Sequence, residues 1–332
     1  MKHALILLAL ALPLAAEDWP QFLGPRRDGS YHGKPLPRWP IAGPAVVWKM
    51  DIGAGFAGPA VDDGRLFLFH RIKDKEVLDC MDANTGKIFW RRSSVADYED
   101  KFGFDEGPRA VPTVSAERVF TLGANGLIQC ADVRSGKTLW IVDAKKQFRA
   151  DQGFFGFACS PMVNGANLLI NISGNNAGII ALDINSGKLR WSVAKEKASC
   201  ASPILAVIND KPQAIFFTRD GVVSTNPMSG KINFSHPWRP AINASVNACT
   251  PVAVGNLIFV STSYGKGATV LAGARAQVND MVCSAHDSLV VLHQEYRIAQ
   301  VTKSLEGVDQ PIVVCTVEAD RGLVHDDHLG FR

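Results

Sequence analysis

The sequence predicts an all-β fold built from repeated four-stranded antiparallel units. Three observations predict it: a turn motif recurring in fixed register, a proline ahead of each copy that opens a short apolar strand, and paired apolar runs separated by turn residues. The motif reads Asp-x-x-[Ser/Thr]-Gly-Lys-x-x-Trp. Its copies are Asp82, Gly86 and Trp90; Asp132, Gly136 and Trp140; Asp183, Gly187 and Trp191; and a degenerate fourth with Asn226, Gly230 and Phe234. The glycines fall roughly 50 residues apart, the last step shorter, a period typical of repeat architectures.

Each motif position has a physical reading. The Asp or Asn side chain bonds the backbone two residues on and opens a turn. The Gly supplies the positive φ that a tight connection needs. The Lys begins an edge-like strand and keeps its charge in water. The Trp follows the Gly by four residues, so its ring lands at one depth in every copy and packs between neighbouring sheets.

In chain order, Val46 to Lys49 reads as an orphan fourth strand ahead of the first complete unit. Pro59, Pro112, Pro161, Pro203 and Pro251 then begin short strands, a position where proline is tolerated. Turns follow at Asp63-Gly64, Glu117-Arg118, Asn164-Gly165, Asn209 to Pro212 and Gly255-Asn256. A second strand comes next, then a third that ends at the motif Asp, then a fourth that carries the Trp. Four antiparallel strands per unit of this length are the blade of a β-propeller. About five blades are recognisable, the fifth fading after Val270, so the propeller reads as incomplete. The orphan strand would join the last blade and close the ring, which removes sheet edges.

The ends read differently. Residues 1–16 predict a signal peptide: Lys2 and His3, then an apolar run from Ala4 to Ala16, with Ala15 and Ala16 before the polar Glu17 and Asp18. At roughly 13 residues the run is too short to span a bilayer, so no transmembrane segment is expected after cleavage. The repeats occupy 17–271. Residues 272–332 lack the motif and hold His286, His293, His325 and His328; they read as an atypical C-terminal segment, frameshifted, truncated or a separate extension.

The chain has 332 residues, 47% of them hydrophobic, 20% charged and a net charge of +3. This balance excludes a disordered chain and gives no basic patch for nucleic acid. Of seven cysteines, Cys80 and Cys130 share a repeat position, and Cys159, Cys200 and Cys249 each precede a repeat Pro. All five read as buried thiols inside strands. No catalytic set is identified: His70 and His236 stand in no nucleophile motif, and the loop residues Asp105, Glu106, Asp151 and Asn175 read as solvated. Gly153-Phe154-Phe155-Gly156-Phe157 is an aromatic loop suited to packing, to a channel mouth or to a partner. His325-Asp326-Asp327-His328 has ligand-type side chains in the doubtful tail.

The repeat residues, with the opening Asp18-Trp19-Pro20-Gln21-Phe22 and Gly24-Pro25-Arg26-Arg27-Asp28-Gly29, resemble the pyrroloquinoline-quinone (PQQ)-like β-propeller family in its secreted bacterial, BamB-like branch. The resemblance implies an exported, non-catalytic scaffold for protein–protein interaction in cell-envelope or outer-membrane protein assembly. Its setting would be periplasmic or extracellular, its partners proteins, its state monomeric, with no cofactor and no metal. The family also implies an alternative, a quinoprotein dehydrogenase dependent on PQQ and calcium. Its alcohol dehydrogenases carry adjacent cysteines, and this sequence has no such pair.

Overall fold

In the computed structural model, the structure describes residues 17–33, 35 and 38–272, plus the backbone of three later strands. Six antiparallel sheets follow one another along the chain. The first holds β1 (Ala60–Asp62), β2 (Arg65–Ile72), β3 (Lys75–Asp82) and β4 (Ile88–Val95). The second holds β5 (Thr113–Ser115), β6 (Arg118–Leu122), β7 (Leu127–Asp132) and β8 (Thr138–Asp143). A short helix, α1 (Ala144–Phe148), follows. The third sheet holds β9 (Met162–Asn164), β10 (Asn167–Gly174), β11 (Ala177–Asp183) and β12 (Leu189–Val193). The fourth holds β13 (Ile204–Ile208), β14 (Lys211–Phe217), β15 (Gly221–Thr225) and β16 (Ile232–Pro237). The fifth holds β17 (Val252–Val254), β18 (Leu257–Thr262) and β19 (Gly267–Ala272). The sixth holds β20 (Val282–Ala285), β21 (Ser288–Leu292) and β22 (Ala299–Val301). In every sheet the strands pair in sequence order, the meander of a propeller blade.

Each repeat proline stands immediately before the first strand of its sheet. These first strands are innermost, since β5 lies beside both β1 and β9. The fourth strands are outermost, and β4 alternates exposed and half-buried residues while β3 is buried almost throughout. The core is a series of seams between consecutive sheets. Phe67, Leu78 and Cys80 meet Val119 and Ala131 in the first, and Phe120, Leu122 and Ile128 meet Leu168, Ile180 and Leu182 in the second. Leu169 and Ile179 meet Phe216 in the third; Ile215 and Phe217 meet Ile258 and Val260 in the fourth. Such a core makes each blade depend on its neighbours.

A bulge falls at one place in four blades, between Cys80 and Met81, Cys130 and Ala131, Ala181 and Leu182, and Ser224 and Thr225. It inserts one residue into the outer strand and sets Trp90, Trp140, Trp191 and Phe234 opposite equivalent third-strand residues.

The structure departs from the sequence reading in five places. The turn expected over Asn209 to Pro212 is Asn209-Asp210, with φ of 50° and 59°, and Lys211 and Pro212 already pair within β14. The turn expected at Glu117-Arg118 is Ala116-Glu117, with φ of 50° and 61°, because Ser115 pairs with Arg118. Helix α1 arises because Asp143 caps it, accepting from the Lys146 amide (3.1 Å), and Arg149 ends it in a left-handed conformation. Val46 to Lys49 forms no ladder among the described residues, and Val46 and Val47 are exposed. Cys159, Cys200 and Cys249 lie in the segments leading to inner strands rather than within strands, and the last two are only partly buried. The signal-peptide residues 1–16, His325 to His328 and most of 272–332 lie outside the described residues.

Candidate functional site

The motif residues form joints between blades. Asp82 Oδ1 accepts from the Asn84 and Thr85 amides and the Thr85 hydroxyl (2.9, 2.8 and 3.0 Å), and Asp183 does the same with Asn185 and Ser186. Asp132 binds Ser135 through both amide and hydroxyl, and Asn226 accepts from the Met228 and Ser229 amides. The Thr85 and Ser135 bonds hold the Asp82 and Asp132 carboxyls below the usual range. Gly86, Gly136, Gly187 and Gly230 have φ between 68° and 74°. Each glycine lies under the indole of the preceding blade: a Cβ would meet Trp48, Trp90, Trp140 and Trp191 at 2.9, 2.6, 2.8 and 2.5 Å. Trp48 thus fills the place of a preceding blade's tryptophan although its segment is no strand. The indole N–H of Trp48, Trp90 and Trp140 donates to the carbonyls of Ala83, Val133 and Ile184 (2.9, 2.9 and 3.0 Å). Trp191 breaks the series. The equivalent carbonyl, Pro227 O, accepts from Asn167 Nδ2 (2.9 Å), and Trp191 Nε1 has no partner among the described residues.

Around the axis, the residue before the proline links one blade to the next. The Val111 amide donates to Ser160 Oγ (2.9 Å), and the Ser160 amide donates to Ser202 Oγ (3.0 Å). The segment from Trp19 to Gly29 crosses these inner strands. Trp19 pairs with Val61 in β1, and Pro20 O accepts from the Val114 amide of β5 (2.7 Å). The guanidinium of Arg27, 4% exposed, donates to the carbonyls of Ser160 and Pro161 (3.1 and 2.9 Å) and to Gln21 Oε1. Burial pulls its pKa down to about 10.

Antiparallel alternation puts the outer-to-inner crossings of all blades on one face, together with the second hairpin of each blade. Two of these crossings carry aromatic side chains that meet. Phe102 lies 5.0 Å from Phe155 and 6.0 Å from Phe154, and Phe104 lies 5.9 Å from Phe155, centroid to centroid. Two arginines stack on aromatic rings of the same crossings and of the segment before β1. Arg219 covers Phe154 at 5.0 Å, and Arg109 stacks on Tyr98 at 4.8 Å and Phe56 at 5.5 Å. Their donors go to carbonyls, Arg109 to Gly107 and Asp105 (2.8 and 2.6 Å), Arg219 to Ser245 (2.9 Å). Phe56, Phe102 and Phe104 remain 61%, 44% and 67% exposed, whereas Phe157 beneath is fully buried.

The nominated loop residues do not assemble. Asp105 Oδ1 accepts from the Gly107 amide, Glu106 pairs with Arg71 (3.3 Å), Asp151 accepts from the Gly153 amide, and Asn175 donates its backbone amide to Phe148 O. Among the described residues no group of three His, Cys, Asp or Glu side chains is placed to hold a metal ion. His70 is buried in the first sheet; its Nδ1 accepts from the Gly53 amide (2.8 Å), and its Nε2 faces Asp79 (3.1 Å), which Arg91 grips at both oxygens (2.6 and 2.7 Å). The sequence reading passed over Ser160, Ser202, Arg109, Phe102 and Phe104. A Ser-Pro pair at the head of two successive blades was the available signal for the serines.

The family model described as outer membrane protein assembly factor BamB matches this chain over residues 42–143 and 73–304. The serine/threonine-protein kinase AfsK of Streptomyces griseus is 24% identical over 177 residues, covering 52% of this chain and 20% of the kinase, so this chain spans about a fifth of that protein. BamB from Moraxella catarrhalis has a TM-score of 0.41 at 17% identity, covering 76% of this chain and 80% of its own. The quinohemoprotein alcohol dehydrogenase from Comamonas testosteroni has a TM-score of 0.48 at 14% identity, covering 78% and 46%. At such scores these two structures do not choose between roles.

Proposed function

This chain belongs to the PQQ-like repeat family described as outer membrane protein assembly factor BamB, and on that premise we propose that it is an exported, non-catalytic scaffold that docks polypeptide partners on its aromatic face. One observation carries the reading: Phe102 and Phe104 are exposed where they meet Phe155, and Phe56, which bonds Pro108 O of the same crossing and lies under Arg109, is exposed as well. Exposed aromatic clusters mark contact surfaces, and aromatic side chains with arginine dominate the energetics of such contacts. The bracing matters as much as the exposure. Arg109 and Arg219 are fixed by backbone carbonyls and hold Phe56 and Phe154, while Phe102 and Phe104 lean on Phe155, so these rings are positioned before a partner arrives and less ordering entropy opposes binding. The periplasm or the outside of the cell is the proposed location. No helix among the described residues is long and apolar enough to cross a membrane.

The test is a pulldown from periplasmic extract with the wild type and a Phe56→Ser, Phe102→Ser, Phe104→Ser variant. Retention should fall at least tenfold in the variant, the loss of two or three aromatic contacts of about 1 kcal/mol each. Equal retention by both proteins would overturn the reading. The alternative, a quinoprotein dehydrogenase dependent on PQQ and calcium, predicts saturable calorimetric binding of PQQ in the presence of Ca²⁺.

A further inference from the structure

We propose that Glu76 is a proton-operated latch that ties the seam between the first two blades to the aromatic loop at the head of the third. The geometry is a chain of contacts. Glu76 is the second residue of β3, is 1% exposed, and points into the seam facing the second sheet. Its Oε1 accepts from the Ala124 amide (2.7 Å), in the turn between β6 and β7. The carbonyl of the same Ala124 accepts from the Phe157 amide (3.0 Å), at the end of the loop that carries Phe154 and Phe155. This turn cannot drift independently of the loop. A Cβ on Gly126 would meet the Phe157 ring at 2.6 Å, and one on Gly156 would meet Ala124 O at 2.9 Å.

The other carboxylate oxygen, Oε2, is buried without a partner among the described residues. Glu76, with Thr121, Ser94 and Gln129, lines a cavity of about 20 Å³, room for one water. The charged groups facing the carboxyl are Arg71 on β2, Arg109 and Asp97 on the crossing after β4, and Arg92 on β4 at the same cavity. The arginines spend donors elsewhere: Arg71 on Tyr98 O and Glu106, Arg109 on Gly107 O and Asp105 O, Arg92 on Gly136 O. No cation among the described residues bonds the carboxylate, and burial raises its pKa to about 7. The sign follows. The folded state keeps a proton that the unfolded chain releases near the ordinary value of 4.5. The stabilisation is full below that value and is lost as pH rises through about 7. The Ala124 bond by itself favours the charged form, but the cost of burying the carboxylate outweighs it, so the ionised side chain is stabilised by opening the seam to water, and the Ala124 bond and the Phe157 anchor open with it.

The inference holds whatever docks on the face, and its test needs no partner. Melting temperature would be followed from about pH 5 to about pH 8 for the wild type and Glu76→Gln, with hydrogen exchange of residues 123–127 and 153–157 corrected for intrinsic rate. The wild type should lose roughly 5 °C or more relative to the variant across that range. Exchange in both segments should rise severalfold in the wild type alone. Parallel melting profiles would overturn the proposal, and so would a divergence in melting without any change at residues 153–157. Should the variant fold poorly, the wild-type exchange profile decides alone: flat protection across the range overturns the latch.

Discussion

Gly136 shows how two constraints meet at one residue. Its φ of 68° disfavours any side chain, and the Trp90 ring lies 2.6 Å from where a Cβ would stand. Gly165, in the hairpin between β9 and β10, has a φ of 58° with nothing within 4 Å. Gly165→Ala should therefore cost about 1–2 kcal/mol, the conformational penalty alone. Gly136→Ala should cost about 1–3 kcal/mol more, for the displaced indole. Urea denaturation of the two variants checks the difference. The tryptophans offer a second comparison. Trp90→Phe loses a bond to Val133 O and strands a carbonyl, whereas Trp191 has no such bond to lose. Trp90→Phe should be the more destabilising by about 1 kcal/mol in the same assay, and equal losses would contradict the assigned bonds. The Asp, Gly and Trp positions were legible in the sequence because turn chemistry is local. The indole's acceptor was not, since it lies on the next blade, and Pro227 with Asn167 diverts one copy.

The element that most exceeds its sequence signal is the entry segment. It reads as a family signature, yet it staples three inner strands through Trp19, Pro20 and Arg27. Its partners lie in three different blades, those of Arg27 more than a hundred residues away in sequence, so no local pattern announces them. Arg27→Ala should cost about 3 kcal/mol, the loss of charge-assisted bonds to the Ser160 and Pro161 carbonyls, of which Pro161 O keeps the Thr113 hydroxyl. Limited proteolysis should then cut within residues 17–33 before the blades. Uniform cleavage at wild-type rates would show that the segment is not held by Arg27. The strands themselves were legible from proline, turn and apolar run. The bulges were not, although they explain why the tryptophan stands four residues after the glycine. Helix α1 was also missed, because Asp143-Ala144-Lys145-Lys146-Gln147 is a short cap-and-helix signal inside a strand-rich context.

Across the whole molecule, the repeat builds the seams and leaves the function to what interrupts it. The aromatic loop at Phe154 and Phe155 stood out in the sequence. Its partners Phe102 and Phe104 did not, since only blade stacking brings the two crossings together. Glu76 stands in no sequence motif, and only the covering second blade makes it a buried carboxyl. The aromatic face is the central claim, and its most direct test is site-specific photocrosslinking in the native cell. A photoreactive residue would replace Phe104, with a control at Leu189 on the outer strand β12, which is also exposed. Docking on the aromatic face predicts discrete polypeptide adducts from position 104, suppressed by Phe56→Ser and Phe102→Ser and absent from position 189. Adducts of equal yield from both positions, or none from 104 in a folded protein that binds PQQ with Ca²⁺, would contradict it.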